Sequence, residues 1–201
     1  MPIIKPGDFS DYRVKALLTR HLEGMHANSP PGHVFALDWS GLQKPEIRFY
    51  ALWEGEDLLG FGALKELEPR SGEIKSMRTA DAHLRTGVAA TILDHIIAEA
   101  RRRGYTRLSL ETGSGAAFEP ALKLYRKDGF IEGGAFDSYE KSPFNQFLHL
   151  DLVPDRQPLR DLRGVISVSC ATSDDKPQYQ QALGWWSYPG THRCGHSRKQ
   201  P

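Results

Sequence analysis

The chain has 201 residues, 39% hydrophobic and 25% charged, with a formal net charge of +1. That balance fits one globular domain of ordinary size with an appendage, large enough to bury a core without staples. Near-zero charge excludes a general field for nucleic acid or an anionic membrane, and two cysteines exclude a disulfide framework. With no bilayer-length apolar run and no signal-peptide pattern at the start, a soluble cytoplasmic protein is expected.

In chain order, "PII" reads as a short strand. Asp8 to about Met25 reads as a helix, with Val14, Leu17, Leu18 and Leu22 at helical spacing and Asp8 or Ser10 as its cap. Residues 26–45, "HANSPPGHVFALDWSGLQKP", are rich in turn formers and read as a structured loop with one short helical turn. "IRFYALWE" (47–54) and "LLGFGALKEL" (58–67) read as a hairpin around "GED", and "EIKSMRTA" (73–80) as a third extended run. Residues 87 to about 103 form the clearest helix, with Val88, Ile92, Ile96 and Ala100 in one row. Three arginines suit its C-terminal end, and Gly104 stops it. "TRLSLET" (106–112) is a strand and "FEPALKLYRKD" (118–128) a second amphipathic helix closed by Gly129. "FIEGGAF" and "NQFLHLDL" (145–152) read as the last strands. The order predicts an α/β or α+β layered domain with a mixed sheet over residues 1–152.

After Leu152 the periodicity ends. Residues 153–201 are read as a C-terminal extension, either disordered, or packed through "GVISVS" and Trp185-Trp186, or aberrant through readthrough or a shifted frame. "HRCGH" (192–196) matches no zinc spacing, so no metal is expected.

The junction "MRTADAHLRTGVAA" (77–90) runs from a strand into the start of the long helix. A helix start leaves about four N–H groups without partners and carries partial positive charge, which suits a phosphate. Gly87 admits close approach, Ala89 and Ala90 keep the first turn lean, Thr86 adds a hydroxyl and Arg85 a charge. The plainer reading is a tight strand-to-helix turn. The common nucleotide-binding glycine signatures, of P-loop and dinucleotide type, are absent.

Two motifs sharpen this. "GVA" (87–89) fits the end of a loop of the form Q/R-x-x-G-x-G/A, and "ALKLYRKDGF" (121–130) fits A-x-x-L-Y-x-x-x-G-F. In that order and spacing, they resemble the GCN5-related N-acetyltransferase (GNAT) family over roughly residues 2–152. One position departs: Leu84 stands where the family has Gln or Arg, and Arg85 is the neighbouring substitute. The resemblance implies a mostly antiparallel mixed sheet flanked by helices and splayed at the cofactor strand pair. It implies acetyl-CoA as co-substrate, its pyrophosphate on Arg85, Thr86, Gly87, Val88, Ala89 and Ala90, and its pantetheine arm paired along Met77, Arg78 and Thr79. It implies an acetyl group moved directly to a primary amine of a small molecule or peptide, through a tetrahedral intermediate.

Such transfer needs a base for the amine and an acid for the departing thiolate. Tyr125 matches the family's usual acid. Two strand carboxylates are candidate bases, Glu73 preferred and Glu111 second. The resemblance also puts the loop after the first helix at the acceptor site, which makes His26 and His33 candidate substrate contacts. In "LDWSG", Asp38 is available to pair with a substrate ammonium. A homodimer is expected from the family's habit. The alternatives are a non-catalytic acyl-CoA-binding regulatory module on the same fold, and a nucleic-acid binder through Arg101–Arg103, which the balanced charge disfavours.

Overall fold

The computed structural model describes residues 1–152. The expected extension 153–201, with Cys170, Cys194, the tryptophan pair and "HRCGH", lies outside the described residues. Seven strands form one sheet: β1 (Ile3–Pro6), β2 (Ile47–Glu54), β3 (Asp57–Glu68), β4 (Ser71–Thr79), β5 (Arg107–Gly113), β6 (Ile131–Glu132) and β7 (Asn145–Asp151). Three helices flank it: α1 (Tyr12–Asn28), α2 (Val88–Arg102) and α3 (Glu119–Lys127). The spatial order is β1-β2-β3-β4-β5-β7-β6. Each neighbouring pair is antiparallel except β4 with β5. The mixed, mostly antiparallel sheet with flanking helices is the expected class.

Three local expectations are corrected. Helix α1 begins later and is capped by Asp11, whose carboxylate accepts from the Arg13 N–H at 2.8 Å; Asp8 instead closes a turn on Ser10. It also runs on to Asn28, so His26 sits on the helix and not in the following loop. "FIEGGAF" is a strand only at Ile131 and Glu132; Gly133 still donates to the Phe147 carbonyl at 3.0 Å, and a long connection then leads to β7. The single turn expected inside 26–45 is present as a 3-10 turn, Gly41–Gln43.

The period of two in the strands sorts side chains to opposite faces. Leu64, Ile74, Leu108, Leu110 and Leu148 face α2 and α3, where Ile92, Leu93, Ile96 and Leu122 complete one core. Phe49, Ala51, Phe61 and Ala63 face α1, where Val14 and Leu18 complete a second. Each fully buried large aliphatic here contributes about 1.5–3 kcal/mol of transfer free energy. Helix α2 lies close on β3 because Gly62 offers no Cβ: one built there would meet the Met77 sulfur at 2.6 Å and the Ile92 side chain at 2.8 Å. The last turn of α2 is clamped by Glu99, which accepts from both Arg102 and Arg103. Those bonds, Arg102 first, hold the Glu99 carboxyl down at about 2.

Candidate active site

β4 and β5 pair in parallel only at Ser71, Gly72 and Glu73, opposite Arg107, Leu108 and Ser109. Beyond that rung the strands diverge, β4 continuing to Thr79 and β5 to Gly113. The splay opens a cleft of about 570 Å³ that reaches both faces of the sheet. On one face its wall is built by α1 and the following loop, with His21, Met25, Asn28 and Phe35. On the other it is built by the start of α2 and by α3, with Val88, Ala89, Phe118 and Tyr125.

β4 is not a regular strand here. Phe61 pairs with Arg78 and Ala63 with Lys75, so Ser76 and Met77 both stand opposite Gly62. Ser76 takes a left-handed φ of 50°. Such a bulge bends the strand and re-aims its backbone groups, and Ser76 and Met77 both line the cleft. Nothing in "KSMR" announces it.

The strand leads into the helix start through a 3-10 turn, Asp81–His83. Thr86 is tied by its hydroxyl to the His83 carbonyl at 2.6 Å, so it supports the loop instead of offering a free donor. Arg85 and Gly87 both take left-handed conformations, φ 63° and 93°. No side chain caps α2. The first-turn N–H groups therefore point outward without a cap, and Arg85, Thr86 and Gly87 are exposed. The lining of the cleft includes Arg85, Gly87, Val88, Ala89 and Ala90, and also Met77, Arg78 and Thr79. A phosphate-bearing ligand fits this end: an open helix start, a lean first turn and an arginine beside it.

Arg78 also turns toward α1. Its guanidinium donates to Asp81 at 2.7 Å, and Asp81 accepts from Arg20 of α1 at 2.6 Å. That clamp fixes α1 against the end of β4. The neighbouring His21 is 7% exposed, and its Nε2 has no partner among the described residues. Burial, then the nearby Arg78 charge, lowers its pKa to about 4, which keeps the ring neutral.

Tyr125 projects from α3 into the core side of the cleft, 6% exposed. Burial alone pushes its phenol pKa upward, so it enters the cleft protonated. Glu111 lines the same cleft from β5. Burial raises its carboxyl to about 7, with Lys75 pulling it down and Glu73 pushing it up.

Glu73, the preferred base from sequence, lies elsewhere. It is fully buried below the cleft, at the vertex of the splay, and is not in the cleft lining. Its Oε1 accepts from Tyr139 Oη at 2.5 Å and faces Lys75 Nζ at 3.3 Å, and its Oε2 faces Lys65 Nζ at 3.8 Å. The reason is register: Glu73 occupies the last closed rung, two residues before the gap has opened.

The three substrate candidates are not brought to the cleft either. His26 binds its own helix at the Leu22 carbonyl, 2.8 Å away. His33 binds the Pro31 carbonyl at 3.2 Å and packs edge-on against Phe144. Asp38 closes a turn, accepting from the Gly41 N–H at 2.7 Å and the Ser40 hydroxyl at 2.9 Å. The 26–45 segment reaches the cleft through Asn28, Phe35 and Ala36 instead. Among the described residues, no cluster of three or more His, Cys, Asp or Glu could hold a metal, and no helix is long and apolar enough to cross a membrane.

The gap between β4 and β5 thus leads past Glu111 and Tyr125 to the uncapped start of α2. The chain belongs to the GNAT family of acetyltransferases, whose model matches residues 14–130. It is 52% identical over 145 residues to the uncharacterized N-acetyltransferase YsnE of Bacillus subtilis, covering 72% of this chain and 96% of that one. It is 46% identical over 149 residues to the uncharacterized N-acetyltransferase YedL of Escherichia coli, covering 74% and 94%. Its fold is like that of a Bacillus subtilis acetyltransferase solved in complex with CoA, with a TM-score of 0.58 at 19% identity over 76% of this chain and 100% of that one.

Proposed function

We propose that the chain is an acetyl-CoA-dependent N-acetyltransferase acting on a primary amine of a small molecule or peptide, with Glu111 as general base and Tyr125 as general acid. The observation that carries the reading is that these two side chains line one cleft from opposite sides of the split sheet. Glu111 belongs to the strand face that α1 covers, and Tyr125 to the α2–α3 side.

Arg85, Gly87, Val88, Ala89 and Ala90 would hold the cofactor's phosphates, with Thr86 as a brace. Met77, Arg78 and Thr79 would hold its extended arm through main-chain groups. When bound, acetyl-CoA supplies an activated thioester. Glu111, with a carboxyl near 7, takes the proton that an ammonium must lose before its nitrogen can attack, directly or through a water. Transfer is direct, through a tetrahedral intermediate. Tyr125, held neutral by burial, gives its proton to the departing thiolate. The acceptor enters from the α1 side, past Met25, Asn28 and Phe35. The reaction is expected in the cytoplasm, with the domain 1–152 as the catalytic unit and a homodimer as the assembly.

The test is calorimetric titration of acetyl-CoA into the full chain and into a chain ending at Leu152, followed by an amine-acceptor screen read by free-thiol release. Micromolar binding to both, and amine-dependent release that Tyr125→Phe depresses, is the expected result. No binding to either form overturns the reading. Binding without release from any amine leaves a non-catalytic acyl-CoA module.

A further inference from the structure

Outside the base and acid, the cleft borders a buried cluster of charge at the vertex of the splay. Glu73 and Ser109 form the last rung between β4 and β5. Lys75 and Glu111 each stand two residues past that rung, on the same strand faces, at equivalent places on the two diverging strands. Both line the cleft. Lys75 is 8% exposed. Its ammonium is fully engaged: it donates to the Phe35 carbonyl at 2.8 Å and to Tyr139 Oη at 2.6 Å, and faces Glu73 Oε1 at 3.3 Å. Phe35 and Tyr139 pack edge-on, 5.1 Å between ring centres. One lysine thus joins β4, the acceptor-side loop after α1, and the long connection before β7. A second lysine, Lys65, ties Asp137 of that connection to the same cluster at 2.8 Å.

A buried ammonium with three fixed partners cannot swing to follow a ligand. What it can do is present a fixed positive charge to the opposite strand. We propose that Lys75 is a positioning residue for Glu111: anchored by Phe35, Tyr139 and Glu73, it presents a fixed positive charge to the base across the opening strands and holds the aromatic wall of the acceptor half. This rests on the acetyltransferase reading for its catalytic meaning.

The groups that bear on Glu111 are Lys75 and Glu73 of β4 and Tyr139 of the connection before β7. Tyr139 is kept neutral by burial and by its bond to Glu73, so the fixed charges are one cation and one anion. Burial acts most on Glu111 and favours its neutral form; against that background the Lys75 charge favours the carboxylate and the Glu73 charge opposes it. Removing one or the other must therefore move Glu111 in opposite directions, a signature that general loosening of the fold does not produce.

The experiment uses the full chain loaded with CoA as the probe, with glutamate labelled at the side-chain carboxyl for carbon NMR and Glu111→Gln assigning the resonance. Lys75→Met should move the Glu111 midpoint upward by about one pH unit or more, and Lys75→Arg should restore it. Glu73→Gln should move it downward. CoA affinity and a cooperative melt, measured on each variant, should persist. Should Lys75→Met fail to fold, Glu73→Gln and Lys75→Arg still decide the direction. With an amine found by the screen, the acid limb of kcat/KM should follow the same order, so that Lys75→Met loses up to about tenfold at a pH below the limb. Unmoved midpoints, or shifts of the same sign in Lys75→Met and Glu73→Gln, overturn the proposal. Opposite midpoint shifts without acetylation of any amine would keep the coupling and remove the transferase reading, so the two failures are distinguishable.

Discussion

Glu73 and Ser109 are the last residues that β4 and β5 share before the sheet opens. The carboxylates of β4 and β5 are placed by that rung. At it lies a buried cluster of Glu73, Lys65 and Tyr139, joined from the cleft side by Lys75. Above it lies the cleft, with Glu111 reaching it from one strand and the bulge at Ser76 from the other. The difference between a buried structural carboxylate and a cleft carboxylate is a matter of two residues along parallel strands.

Glu111→Gln should lower kcat/KM by about 10²-fold, within the usual range for a positioned base. Because the base works ionised, wild-type kcat/KM should rise with pH through about 7, where Glu111 titrates, and the variant should lose that limb. A pH–rate series on both proteins checks it, and an unchanged limb in the variant would assign the base elsewhere.

The same carboxyl predicts a stability slope. Its folded pKa is raised, to about 7 from 4.5, so the folded state binds the proton more tightly than the unfolded chain. The resulting stabilisation is complete below about 4.5 and is lost as pH rises through about 7. Thermal melts from pH 5 to 8 should show a decline that Glu111→Gln flattens.

Tyr125→Phe removes only the phenol oxygen from a site that is otherwise well packed, against Phe130 at 5.7 Å between ring centres. The melting temperature and acetyl-CoA affinity should stay close to wild type. Turnover should fall by about 10²-fold, since the thiolate then leaves without its proton donor. Equal turnover in the two proteins would make Tyr125 a packing residue.

Gly87→Ala meets no steric neighbour within 4 Å, but the position holds φ at 93°. The strain should cost about 1 kcal/mol, a drop of roughly 2–4 °C in melting temperature for a domain of this size. A change of the loop out of that conformation would also turn the first-turn N–H groups away. Calorimetry should show at least a severalfold weaker acetyl-CoA affinity.

Gly62→Ala is a contrasting case, with no backbone strain and a direct clash. The new methyl meets Met77 and Ile92, so α2 must move off β3. Overpacking of this kind costs about 1–3 kcal/mol, read by chemical denaturation. Since α2 carries the helix start of the cofactor end, acetyl-CoA affinity should weaken together with stability.

The order of elements was legible in sequence because periodicity reports burial, and burial decides which elements form. β2 and both long stretches of core helix stand where the spacing of apolar residues put them. The helix start at Gly87 was legible for a different reason: only a few residue types tolerate that backbone, and the small residues after it have no packing role to hide behind. Tyr125 was legible because its spacing from Gly129 and Phe130 is local to one helix and its stop.

Which of Glu73 and Glu111 faces the cleft was not legible, and neither was the other wall of that cleft. Both acids sit in strands, and strand period tells only which face a side chain takes. "EIK" does put Glu73 and Lys75 on one face, which hints at a pair, but it cannot say that Tyr139, 66 residues away, closes over them. His26, His33 and Asp38 looked free because their partners include backbone carbonyls and N–H groups, which every sequence has and none displays. The sequence by itself determined the elements, the phosphate-suited helix start and the family. Only the tertiary structure decided where the parallel strands part, and that register, set by packing on both faces of the sheet, is what turns one glutamate into a buried strut and the other into a group facing the cleft.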